Sequence, residues 1–214
     1  MQLNRKFLIL AVVAFVYVCA FWLADVVRIA AQTAIGPKPY EGLWLFLPHL
    51  LLYTTFTAAV AGGCWFALVK TGDVPGDWFR PTRAAALWGV IGGVLSTAAC
   101  MAFLHFAGMG APAWNGFNGW EIAGNTFSNF YEELIYRGFL LAALTVVIGF
   151  WPAAIVTSIT FGLTHDQYPY ALQGLIAVTS VGWCWIVRRS KSLWAAWIAH
   201  MILDVAISAA WGLG

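Results

Sequence analysis

Apolar side chains along this chain come in long runs, not at alternate or every-third positions. From the N-terminus the runs cover about 7–27, 42–68, 84–106, 120–148, 152–165, 170–187 and 193–211. A helix rises about 1.5 Å per residue and a bilayer's hydrocarbon core is about 30 Å thick, so roughly 20 residues cross it. Most of the runs can do so, and 152–165 is marginal. A helix that is apolar all round has no water-facing stripe and belongs in lipid or inside a bundle. The pattern predicts an all-α, polytopic transmembrane helix bundle of about seven spans, forming one domain over residues 1–214. No internal repeat, linker or low-complexity stretch interrupts it.

Composition points the same way. Hydrophobic residues make up 62% of the chain and charged ones 9%, against about 25% charged in soluble domains. The 13 Trp and 15 Phe suit lipid and interface contacts. Arg5 and Lys6 precede the first run as in a signal peptide, but the run is too long for a signal's apolar region and further spans follow, so it is expected to be retained. Cys19, Cys64, Cys100 and Cys184 lie singly inside apolar runs, without CxxC or CxxH spacing, and read as small hydrophobes. Gly62 with Gly63, and Gly92 with Gly93, read as sites of close helix packing.

Charge in the loops orients the bundle. Arg5 and Lys6, then Lys70, Arg80 and Arg83, then Arg188, Arg189 and Lys191 fall on one side if there are seven spans. The positive-inside rule makes that side cytoplasmic and puts the N-terminus there. Arg28 and Lys38 count against this orientation. The stretch 70–83, with Gly72, Pro75, Gly76 and Pro81, reads as a cytoplasmic loop. So few residues outside the spans suit a bacterial cytoplasmic (inner) membrane. The net charge of +2 names no partner, and no basic stripe supports binding to nucleic acid.

Ionisable side chains inside spans cost at least about 2.5 kcal/mol each on insertion scales, so they mark function. Away from span ends, they fall here in the last four runs. The fourth carries Glu132, Glu133 and Arg137, the fifth ends at His165, and the seventh carries His200 and Asp204. Glu133 and Arg137, four apart, share a helix face and can pair. Such a pair reads equally well as purely structural. It leaves Glu132, about 100° around the helix, without a cation nearby in sequence. Asn125 and Asn129 extend its polar stripe. Asp204 is four residues from His200 and can fix its tautomer. Phe161 shares a face with His165 and can pack beneath its ring. Glu132 lies roughly 18 Å and His200 roughly 11 Å from a span end, so both reach the middle. His165 lies further out, and meets them only if its span tilts or the loop 166–169 is sunk into the protein.

The three segments resemble the signature of the CPBP family, the CAAX protease and bacteriocin-processing (Abi) intramembrane proteases: EExxxR, then FxxxH, then HxxxN or HxxxD. The matching residues are Glu132-Glu133-Leu-Ile-Tyr-Arg137, Phe161-Gly-Leu-Thr-His165 and His200-Met-Ile-Leu-Asp204. The likeness covers a catalytic core of about 120–211. It implies an endopeptidase, with its active site between the last four spans, that cuts a membrane-associated protein or peptide. By likeness to the type II CAAX prenyl endopeptidases, Glu132 and His165 would hold and activate the attacking water. His200 and residue 204 would stabilise the oxyanion, and Glu133 and Arg137 would position the site. That branch carries Asn at the last position. An ionised Asp cannot donate to an oxyanion, so Asp204 is expected to orient His200 instead.

The chemistry agrees with this reading. Peptide hydrolysis needs an activated water and stabilisation of the developing oxyanion. Glu132, His165, His200 and Asp204 could also bind zinc. However, there is no HExxH and such a set would leave no separate base, so a metal-free glutamate mechanism is expected. The rival readings are a non-catalytic immunity or scaffold member of the same fold, and a proton-coupled transporter. A transporter would show paired broken helices in two halves.

Overall fold

The computed structural model describes residues 2–35, 43–70, 77–109, 113–114 and 116–211. Among them every regular element is helical. Helices α1 (Gln2–Ile35) and α2 (Leu43–Lys70) precede α3 (Arg83–Phe106). Helix α4 is continuous but built in three pieces: an α-helical Gly119–Glu133, a π-helical Leu134–Leu140 and an α-helical Leu141–Ile148. Then follow α5 (Phe150–Leu163), α6 (Tyr170–Ser190) and α7 (Leu193–Trp211). Each apolar run is thus one helix. The first extends beyond both expected ends, and the fifth stops two residues short of His165. Lys38, Gly72, Pro75 and Gly76, which entered the charge and loop reading, lie outside the described residues.

Local signals explain several boundaries. Thr82 caps α3 by accepting from the Ala85 amide at 3.0 Å, and Asn118 caps α4 through the Trp120 amide at 3.0 Å. Gly149 ends α4 at φ +83°, a conformation glycine adopts without a Cβ clash, and α5 starts directly after it.

Three helices in the described residues are long and apolar enough to cross a membrane: Arg83–Phe106, Tyr170–Ser190 and Leu193–Ala210. Outward faces are apolar, with Leu95 and Val178 exposed on two of these helices and Phe15 and Trp22 exposed on α1. In water such surface would drive association; in a bilayer it is ordinary contact. The protein is therefore a helical membrane bundle.

Small residues bring the helices around the site together. A Cβ on Gly89 would stand 2.7 Å from Ile198 Cβ, and one on Gly93 2.7 Å from Ile202 Cβ, so α3 and α7 pack backbone to side chain. A Cβ on Gly92 would stand 2.9 Å from Ile186 Cδ1 of α6, whereas Gly63 has nothing within 4 Å, so the second glycine pair fits the packing reading and Gly63 does not. The tightest approach joins α5 to α6. A Cβ on Gly162 would lie 2.6 Å from the Gln173 carbonyl oxygen and 2.9 Å from Ala177 Cβ. A backbone atom cannot swing aside as a side chain can. Gly162→Ala is therefore expected to force α5 and α6 apart and to cost about 1–3 kcal/mol, as overpacking does. Thermal unfolding in mild detergent measures this; an unchanged midpoint would mean the two helices are not so close.

Candidate functional site

The site is built around the carboxylate of Glu133, which is 1% exposed at the end of the first piece of α4. Its Oε1 accepts two hydrogen bonds: one from Arg137 at 3.0 Å and one from His200 Nδ1 at 3.0 Å. The Arg137 partner was expected from spacing; the His200 partner was not. Arg137 lies in the π-helical piece and is fully buried. It also donates to Ser180 Oγ of α6 at 2.7 Å, and Ser180 donates to Ser158 Oγ of α5 at 2.9 Å. The guanidinium sits 4.5 Å from the centre of the Phe161 ring and 5.2 Å from that of Trp183, both favourable cation–π distances. One charge pair thus ties α4 to α5, α6 and α7.

Phe161 serves several neighbours at once. Its ring meets His165 edge-on at 4.7 Å between centroids, His200 at 5.7 Å and Tyr136 at 4.9 Å. His165 lies just past α5. Its Nδ1 is 2.8 Å from the Phe161 carbonyl, which can only accept, so Nδ1 carries the proton and Nε2 is the free nitrogen. The depth problem is solved by the loop: Gln167 and Tyr168 fold inward and line the same cavity as His165. Asp166 stays exposed.

That cavity, of about 210 Å³, collects Glu132, His165, His200 and Asp204, which come from α4, the loop after α5, and α7. Asn125, Ser128, Asn129 and Tyr168 add polar groups, while Leu104, Leu172, Ile176, Leu203 and Ile207 supply apolar walls. Glu132 stands 3.9 Å from His200 Nε2, and Asp204 Oδ2 stands 3.5 Å from the same nitrogen. Both are longer than an ordinary hydrogen bond. Here the structure corrects one expectation: His200 is oriented through Nδ1 by Glu133, not by Asp204. Asp204 is held instead by the amide of Asn129, which donates to Oδ2 at 2.9 Å. Glu133 and Arg137 stand behind the cavity rather than on it.

The donor types would suit zinc. Among the described residues no group of three His, Cys, Asp or Glu side chains is placed to hold a metal ion.

Sequence reasoning named Asn129 only as part of a polar stripe and did not find Tyr168, Ser180 or Trp183. Serine in an apolar helix carries no distinguishing signal. Tyr168 could have been found only by asking what a sunken loop would bring with it. Burial pushes the Tyr168 phenol above its ordinary pKa, Asp204 adds to this, a hydrogen bond from Gln167 opposes it, and Glu132 adds a smaller rise.

Fold and site define a helical membrane protein with carboxylates and imidazoles gathered in one internal chamber. Residues 119–206 match the family model of the Type II CAAX prenyl endopeptidase Rce1-like proteins. A second likeness is to the protein called Putative membrane peptidase YdiL of Bacillus subtilis (strain 168), at 27% identity over 78 residues, 36% of this chain. The match spans 30% of that relative's length. No solved structure matches the chain. The segment holding all three motifs is thus similar to the Rce1-like proteins.

Removing one member of a buried ion pair leaves an uncompensated charge, at a cost of about 3–5 kcal/mol. Arg137→Met is expected to lose stability on that scale in denaturant titrations in detergent, and adding Glu133→Gln should restore part of it. An Arg137→Met protein as stable as the parent would show that the pair is not the anchor described.

Proposed function

We propose that this protein is an intramembrane endopeptidase that hydrolyses a peptide bond of a membrane-associated protein or peptide, within a bundle of seven spans whose N-terminus is cytoplasmic. The observation that carries the reading is the convergence of Glu132, His165, His200 and Asp204 on one cavity. The family likeness, which covers all four, supports it.

In this mechanism Glu132 is the general base. Of the two carboxylates on the cavity, Asp204 is held by the Asn129 amide at 2.9 Å and Glu132 is left for the water. His165 presents Nε2 and helps Glu132 to hold the attacking water. The water oxygen bonds to the carbonyl carbon, its proton passes to Glu132, and the carbonyl π pair moves onto oxygen. His200 with a proton on each nitrogen donates through Nδ1 to Glu133 and keeps Nε2–H for the oxyanion. Asp204, fixed by Asn129, favours that charged form without itself donating. When the C–N bond breaks, Glu132 returns the proton to the leaving nitrogen. Low dielectric makes each fixed charge and dipole count for more than in water. No step uses a metal.

Glu132→Gln is nearly isosteric and cannot act as a base. Membranes carrying it are expected to lose the peptides that wild-type membranes release, while insertion and thermal stability stay unchanged. Equal peptide profiles would remove Glu132 from the reaction. Activity of the purified protein should also survive chelation. Loss on chelation with rescue by added zinc would overturn the metal-free mechanism while leaving the peptidase reading intact.

A further inference from the structure

An oxyanion is better held by two donors than by one, and the residues assigned so far supply one. Glu132, Glu133 and Asp204 only accept when ionised. His165 spends its proton on the Phe161 carbonyl, at 2.8 Å. Trp183 lines the cavity but donates to Ser96 Oγ at 3.0 Å. The Asn129 amide nitrogen is occupied by Asp204 at 2.9 Å. Ser128 Oγ donates to Asn129 Oδ1 at 3.3 Å. His200 Nε2–H remains; Asn125, Gln167, Thr179 and Tyr168 also line the cavity with donors, and one candidate among them is stacked on the reacting imidazole.

That candidate is Tyr168. Its ring lies nearly parallel to His165, 14° between planes and 6.3 Å between centroids, and it lines the cavity. The loop is fixed to hold it there. The Tyr168 amide donates to the His165 carbonyl at 3.0 Å. The Tyr168 carbonyl accepts from Nε2 of the buried Gln173 at 2.7 Å. Gln173 belongs to α6 at its closest approach to α5, where its own carbonyl lies against Gly162. The carbonyl end of Tyr168 is therefore tied to the bundle and not free to leave with the loop. The phenol is partly buried, with a raised pKa, so it keeps its proton at neutral pH and is a donor.

We propose that Tyr168 is a further catalytic residue, whose phenol O–H donates to the oxyanion of the tetrahedral intermediate alongside His200 Nε2–H. The proton stays on Tyr168 throughout. No bond to the phenol forms or breaks, and the hydrogen bond shortens as negative charge gathers on the carbonyl oxygen. Gln173 is a positioning residue for it. The inference rests on the peptidase reading above.

Tyr168→Phe tests it, because the ring and its stacking on His165 stay while the donor goes. The probe is a synthetic peptide spanning the most abundant cleavage found in wild-type but not in Glu132→Gln membranes, assayed with purified proteins in detergent. Loss of one oxyanion donor lowers kcat by about 100- to 1000-fold. Tyr168→Phe is expected to fall in that direction by at least about thirtyfold, with KM within about twofold and an unchanged thermal midpoint. A kcat within about threefold of the parent, or a rise in KM with kcat preserved, would overturn the proposal and leave the peptidase reading standing. If no Glu132-dependent cleavage exists, the peptidase reading itself fails and this inference goes with it.

Discussion

The bundle depends on how a negative charge is tolerated at its centre. Glu133 is buried between helices, and a carboxylate in such a place is costly unless paired. One of its oxygens accepts from both Arg137 and His200, at 3.0 Å each. The other oxygen, and Arg137 Nε, have no hydrogen-bond partner. The network is therefore not fully satisfied, and it relies on the aromatic faces of Phe161 and Trp183 to hold the guanidinium. A network of this kind is poor value as simple stabilisation. It does select one arrangement, since moving α4, α6 or α7 would strand a charge.

This gives the two adjacent glutamates different tasks. Neighbours on a helix differ by about 100° in direction, so when Glu133 turns to Arg137, Glu132 turns elsewhere, and here that is the cavity. The π-helical turn begins at Leu134, immediately after them. Its i→i+5 bonding, seen in the Leu141 amide bonded to the Tyr136 carbonyl, makes a wider turn than an α-helix. Such insertions are often found at functional sites. Arg137 lies inside that turn, still within reach of the residue four before it.

The helices were legible because lipid imposes one demand on every span: length without charge. Motif pairs four apart were legible for a similar reason, because helix geometry alone places them on one face. What escaped was anything decided between helices. Glu133 could be matched with Arg137 by counting, but its bond to His200 joins residues 67 apart in sequence and depends on how α4 and α7 cross. The assignment of Asp204 as orienter of His200 failed for that reason. A local partner at the right spacing was preferred over a distant one that the fold brings closer. The π-helical piece also left no mark, since Leu134–Leu140 reads as ordinary apolar helix apart from Gly138. His165 was placed too far out because its span was read as straight helix to residue 165. Helix α5 instead stops at Leu163, and the loop turns inward.

Charge balance around the cavity gives the strongest physical reason for assigning the base to Glu132. With all carboxylates ionised and His200 doubly protonated, Glu132, Glu133 and Asp204 face two cations, Arg137 and His200. Glu133 is held by both, and Asp204 is held by Asn129 and stands 3.5 Å from His200. Glu132, at 3.9 Å from His200, is the least compensated of the three. Taking a proton from water there removes the surplus negative charge as a new one develops on the substrate oxygen. The total charge of the chamber is unchanged through the step, and in a medium of low dielectric that is the arrangement with the smallest electrostatic cost. Were Glu133 the base instead, the proton would go to its unpartnered Oε2, and Oε1 would be left to hold Arg137 and His200 without its charge, weakening both contacts at the moment they were needed.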